Sequence, residues 1–298
     1  MTGPAESGLV LSEPERLVSG CTWSEGPVWL PASQRVRWSD IPGNRILEWE
    51  EGRTEAIVYR AEAEFTNGRT LDLDGSVIEC SHGRRAVERD RDGDVTTLVD
   101  GWRGVRLNSP NDVIVASDGS VLFTDPPYGI VLPREGHPGE REYGDHYVFR
   151  FVPSTGDLSP IVIDVEEPNG LALSPDERTL YVADTADLFR EGGDTRGTIR
   201  AYDVREGFRC KNGRTLIRSG GIADGLRVDV EGRIWTSSGE GVEVWTPGGE
   251  LLERIPIPEV VANVCFGGPD GTDLFVAAST SLYRLRTSTR DAADRTRV

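Results

Sequence analysis

Apolar and polar residues alternate in short runs along most of the chain, and the runs come in pairs. The stretch NDVIVASDGSVLFTD at 111–125 opens on Asn, alternates, turns at an Asp-Gly step and alternates again; NGLALSPDERTLYVADT at 169–185 and DGLRVDVEGRIWTSS at 224–238 repeat the plan. A period of two on both sides of an Asp- or Glu-bearing turn predicts a β-hairpin. Weaker copies lie at 25–40, 67–83 and 263–279, which makes six. A further strand-like run follows each hairpin (RILEWE, RAVERD, HYVFRFV, TIRAYDV, VEVWTP and SLYRLR), usually with a fourth such as VTTLVD behind it. Four short strands per repeat describe the blade of a propeller.

The hairpins start at 25, 67, 111, 169, 224 and 263, so successive starts are 39–58 residues apart. The two longest gaps carry insertions rich in Gly, Pro and charge, PPYGIVLPREGHPGEREYGD after Asp125 and TADLFREGGDTRG after Asp184. Long loops on a rigid scaffold often serve a site. Little chain remains after the sixth hairpin, so the segment around Leu9 to Val18 is expected to supply the missing strand and close the ring. The expected fold is all-β: a six-bladed β-propeller with four-stranded blades, one domain over 1–298, its polar C-terminal tail disordered from about 287.

Composition agrees with many tight turns and few long helices: Gly 35 and Pro 18 against a single Met. The formal net charge of −17 would repel a phosphate backbone, which excludes nucleic acid and anionic membrane surfaces as partners and favours cations. Cys21, Cys80, Cys210 and Cys265 are widely spaced without a CxxC pair, and read as mostly buried thiols rather than a zinc site or a disulfide framework. The N-terminus has neither a basic region nor a long apolar run, so the expected address is cytoplasmic. No pattern in the chain sets an oligomeric state.

In a propeller the first strand of each blade lines the central channel, so the residue opening that strand stands at one mouth. Those residues are Glu25, Asn67, Asn111, Asn169, Asp224 and Asn263: two carboxylates, four amides and nothing apolar. Asn and Asp also open strands because they bond neighbouring backbone in turns. All six together instead suggest hard oxygen ligands suited to calcium, magnesium or manganese. Glu25, Asn111, Asn169 and Asp224 form the expected metal set, with Asn67 and Asn263 as outer contacts to ligands or substrate. Asp40, His82, Asp125, Asp184 and Ser237 end the second strands and form a second tier, in which His82 is a candidate for substrate contact or proton transfer.

Five motifs in order, SEGPVW at 24–29, RLNSPNDV at 106–113, FTDPPYG at 123–129, PNGLALSPD at 168–176 and ADGLRVD at 223–229, resemble those of the gluconolactonase/SMP-30/regucalcin family, in particular its bacterial gluconolactonase-like branch. The resemblance implies a six-bladed propeller with one divalent metal on its axis and hydrolysis of a sugar lactone or related small lactone. It assigns Glu25, Asn169 and Asp224 as ligands and Asp224 as proton donor or acceptor; Asn111 is a ligand in some branches and holds substrate or water in others. Arg106 and Asn108 match the substrate-contacting stretch, and Tyr128 stands as a pocket wall. Calcium leads as the ion, with magnesium, manganese, zinc and iron(II) behind it.

A cation would polarise the lactone carbonyl and activate water. A carboxylate bound to a cation is a poor base, so Asp224, His82 and metal-bound hydroxide all remain candidates for moving the proton. Neither GxSxG nor HExxH occurs, which argues against serine-hydrolase and zincin chemistry. Two readings compete: a phosphotriesterase-like metal hydrolase and a non-catalytic calcium-binding propeller.

Overall fold

The computed structural model describes residues 8–186 and 197–293. Most of the insertion after Asp184 therefore lies outside the described residues. Six four-stranded antiparallel sheets account for the rest of the architecture. Their first strands are Ser24–Leu30, Thr66–Leu71, Val113–Val115, Pro168–Leu173, Leu226–Val228 and Val261–Gly267, here blades 1 to 6. These strands touch one another in sequence, and the sixth returns to the first, so they form the wall of a central channel. The chain is a six-bladed β-propeller. Among the described residues no helix is long and apolar enough to cross a membrane.

Blade 6 is built from both ends of the chain. Val261–Gly267, Asp273–Ala278 and Ser281–Arg286 pair in order, and Glu15–Ser19 adds the outer strand antiparallel to Ser281–Arg286. The N-terminal strand closes the ring as the sequence pattern requires. The tail behaves differently from the expectation of disorder beyond 287. Thr287 bridges Val10, Asp291 bridges Asp229, and the Ala292 N–H donates to the Val228 carbonyl at 2.8 Å. Residues 287–293 thus cross from blade 6 to blade 5 on backbone hydrogen bonds, which leave no mark in the side-chain pattern.

The hairpin turns follow the Asp-Gly chemistry. In blade 3, Gly119 at φ +81° lets its N–H reach the Ala116 carbonyl while Asp118 Oδ1 accepts the Ser120 N–H at 2.9 Å. Apolar side chains pack between blades, as where Trp29 of blade 1 stacks on Phe275 of blade 6 with ring centres 5.5 Å apart. The seam between blades 1 and 2 is instead charged. Arg37 bridges Glu48 at 2.6 Å and Asp90 at 3.3 Å, Arg60 pairs with Glu79 and Asp90, and the acids are almost wholly buried.

All six first strands also line a cavity of about 160 Å³ at one end of the channel. Trp29, Leu71, Ile114, Leu173 and Phe266 form its walls, and Asp291–Ala293 close one side. This is the mouth opposite the polar ring.

Candidate functional site

The polar ring stands where the pairing of first and second strands is broken or has not yet begun. In blades 1, 2 and 4 the pairing of first and second strands slips by one residue between Glu25 and Val28, Thr66 and Arg69, and Pro168 and Leu171; in blade 6 it slips between Val261 and Asn263. Asn111 and Asp224 precede the first paired residues of their blades, Val113 and Leu226. Four ring residues thus sit at an irregularity, where a bulge re-aims a side chain that regular pleating would fix, and the other two lie just before their ladders begin.

Glycine follows four of the six, and its missing Cβ lets the next blade come close. The Gly68 N–H donates to the Asn111 carbonyl at 2.8 Å, and Gly170 to the Asp224 carbonyl at 3.1 Å. A Cβ on Gly170 would lie 2.3 Å from that oxygen, and one on Gly26 would lie 2.2 Å from the Asn67 carbonyl. The residue-Gly pair is therefore the clasp that holds one inner strand, and its ring side chain, against the next.

Within the ring the partners differ. Glu25 Oε2 accepts the Gly26 N–H at 2.7 Å and Asn263 Nδ2 at 3.2 Å, which leaves Oε1 without a hydrogen bond to the described residues. Burial pushes the Glu25 carboxyl up to about 7 against those two donors, and the charges of Asp112 and Glu135 push the same way. Asn263 is used at both ends, since its Oδ1 accepts the Val264 N–H at 2.8 Å. Asp224 is held well above the ordinary carboxylate range, first by burial and then by the charge of Glu25, while a hydrogen bond from Asn169 opposes the shift. The buried Asn111 side chain makes no hydrogen bond to the described residues. One step below the ring, Asp112 is buried and its Oδ2 stands 3.7 Å from Arg227 Nη1.

Two carboxylates driven toward protonation, with amide oxygens beside them, are a donor set for one hard divalent cation. Among the described residues no three His, Cys, Asp or Glu side chains gather to hold a metal ion, so a cation here would lean on the amides of Asn111 and Asn169 as well as on Glu25 and Asp224.

The second tier is largely committed to the frame. Asp125 Oδ2 and Oδ1 accept the N–H groups of Asn108 and Ser109, each at 2.8 Å, and Tyr143 Oη adds a third bond at 2.7 Å. Burial still lifts this carboxyl to about 7. Asn108 is buried; its Nδ2 donates to the carbonyls of Asp125 and Asp145 and contacts Tyr143 Oη, while its Oδ1 has no hydrogen-bond partner among the described residues. Arg106 is exposed, with Nη2 on the Arg84 carbonyl at 3.0 Å and its N–H on Glu142. Neither joins the ring. Tyr128, in the short helix Tyr128–Val131, is buried with its hydroxyl 2.5 Å from Thr185 Oγ1, and Asp224 is among the charges that raise its pKa. It spans from blade 3 to blade 4.

His82 is fully buried beside Asn67, with Nε2 at 3.4 Å from Asn67 Nδ2 and Nδ1 at 2.9 Å from the Glu135 carbonyl. Burial lowers its pKa to about 4. It is therefore neutral near pH 7, with both ring nitrogens already engaged, a poor arrangement for carrying a proton to and from substrate.

A model of the SMP-30/Gluconolactonase/LRE-like region matches residues 23–280. The chain belongs to this family. Gluconolactonase of Zymomonas mobilis is 32% identical over 301 residues, covering 92% of this chain and 81% of its own. Pentonolactonase XacC of Haloferax volcanii is 30% identical over 273 residues, covering 88% and 83%. The solved structure of XC5397, a gluconolactonase from Xanthomonas campestris, superposes with a TM-score of 0.87 at 39% identity over 94% of this chain and 91% of its own.

Two residues of this SMP-30/gluconolactonase-family chain were not read from its sequence. Asp112 stands inside the NDV motif, where its place after a ring residue, occupied by Gly in four blades, was the available signal. Glu135 comes from the insertion after Asp125, which has no periodicity to place it, yet its charge is felt at both Glu25 and Asp224.

Proposed function

We propose that the chain is a lactone hydrolase acting on a sugar lactone or a related small lactone, with one divalent cation bound at the ring. The observation that carries the reading is the pair Glu25 and Asp224, one buried and one half-buried carboxylate, whose pKa values are raised in a ring otherwise made of amides. Relatives named gluconolactonase and pentonolactonase, aligned over most of both chains, support the substrate class. A cation held by Glu25, Asn111, Asn169 and Asp224 would supply a Lewis acid for the lactone carbonyl and the positive charge those carboxylates lack.

The protein's own residues have distinct parts in this scheme. Asn263 fixes one oxygen of Glu25 and leaves the other toward ligand. Asp224 is steadied by Ser237, whose Oγ accepts its N–H at 2.8 Å, and by the Asn169 amide. Its carboxylate is the group we assign to take a proton from water and return one to the leaving alkoxide. Tyr128 walls one side of the mouth and excludes solvent.

Release of acid from glucono-1,5-lactone, read with a pH indicator, tests the proposal. Rates should vanish into the spontaneous background after chelation and return with calcium, manganese or another divalent ion. Asp224→Asn should cost about 1000-fold in kcat with the melting temperature kept, the magnitude typical of removing a group that acts in the transition state. Full activity in chelator, or in Asp224→Asn, would refute the mechanism. Turnover of a phosphotriester with no lactone opened would transfer the site to phosphoryl chemistry.

A further inference from the structure

The insertion after Asp125 folds back onto blade 2. A Cβ on Gly129 would lie 2.5 Å from the His82 Cβ, and one on Gly136 would lie 2.1 Å from the Gly129 carbonyl, so the loop is stacked tightly on His82. The Glu135 carbonyl meets His82 Nδ1 at 2.9 Å. A carbonyl oxygen can only accept, so Nδ1 carries the proton. In a neutral imidazole Nε2 is then an acceptor, and the group facing it at 3.4 Å is the Asn67 amide. Nδ2 of that amide must point toward His82. Asn67 Oδ1 is left without a hydrogen bond to the described residues.

We propose that His82 is a positioning residue, fixed as the Nδ1–H tautomer by the Glu135 carbonyl, that orients the Asn67 amide so that its Oδ1 accepts a hydroxyl of the bound lactone. The insertion thereby sets a specificity contact on the far side of His82 without touching substrate there. A carboxamide that is free to rotate offers donor and acceptor alike; one held by a lone pair on one side offers a fixed acceptor on the other. The inference rests on the lactone reading and deepens it: the preferred substrate carries a hydroxyl where Asn67 can receive it.

The tautomer is read directly from nitrogen chemical shifts of the His82 ring in labelled protein, where protonated Nδ1 and bare Nε2 are expected and a protonated Nε2 overturns the proposal. Kinetics then test the contact. Asn67→Ala should raise KM for glucono-1,5-lactone about tenfold while kcat moves much less, and the loss should be several-fold smaller for δ-valerolactone, which has no hydroxyl. His82→Gln, with a side-chain oxygen able to stand near the Nε2 position, should keep KM closer to wild type than His82→Asn, which replaces only Nδ1. The double variant His82→Asn/Asn67→Ala should be no worse in KM than Asn67→Ala alone. Independent, multiplying losses overturn the relay, as do equal losses on both lactones. An enzyme that opens no lactone at all defeats the lactone reading, while the nitrogen shifts still decide the tautomer.

Discussion

The same six strands make both mouths of the channel, and the two ends are chemically opposite. At one end they present Glu25, Asn67, Asn111, Asn169, Asp224 and Asn263; a few residues on, they present Trp29, Leu71, Ile114, Leu173 and Phe266 around a cavity. The difference tracks the ladder. In blade 1 the pairing is irregular from Glu25 to Val28 and then regular through Val28, Trp29 and Leu30. Polar groups cluster where the ladder is broken or has not yet begun, and apolar groups line the stretch that keeps its register. A propeller can therefore carry a polar site on an otherwise conventional sheet without disturbing the packing between blades.

Four experiments sharpen the contrast. The largest effect concerns His82, whose folded pKa of about 4 lies below the ordinary 6.5. A lowered histidine pKa contributes stability above the unfolded value and loses it as pH falls through the folded one. Wild type should therefore lose up to about 3 kcal/mol relative to His82→Asn between pH 6.5 and 4, measured by urea unfolding across that window. Next, Gly170→Ala drives a Cβ against the Asp224 carbonyl; we expect about 2 kcal/mol of destabilisation and a fall in activity, since the clasp and the ring residue move together. Asn263→Ala removes the donor to Glu25 Oε2 and should lower kcat/KM about tenfold with little change in melting temperature. At the other mouth, Ile114→Ala should cost only about 1 kcal/mol of stability and leave lactone kinetics within experimental error. Equal kinetic damage from Ile114→Ala and Asn263→Ala would erase the functional distinction between the ends.

The fold was legible because each hairpin repeats one alternation, and the ring was legible because its members open that alternation. What escaped was structure held by the backbone or by loops. Residues 287–293 dock through main-chain bonds such as Ala292 to Val228, so their polar composition was misleading. Asn108 has the look of an exposed turn residue, but carbonyls of Asp125 and Asp145 surround its amide. The charges in RVRWSD and ERDR resemble solvent-facing positions, yet Arg37 and Glu48 of blade 1 are buried in a seam because blade 2 brings Asp90 against Arg37. In each case the deciding contact is remote in sequence, and a local pattern has no means of recording it.

Ring closure also fixes when the site can come into being. Glu25 emerges early from the ribosome, but the amide that orients it belongs to Asn263, 238 positions later, and the strand Glu15–Ser19 waits for Ser281–Arg286. Nascent blades can form in turn as they are synthesised, but the pocket stays open until almost the whole polypeptide has been made. Prematurely terminated translation products thus have no assembled reaction centre, however well their first blades fold.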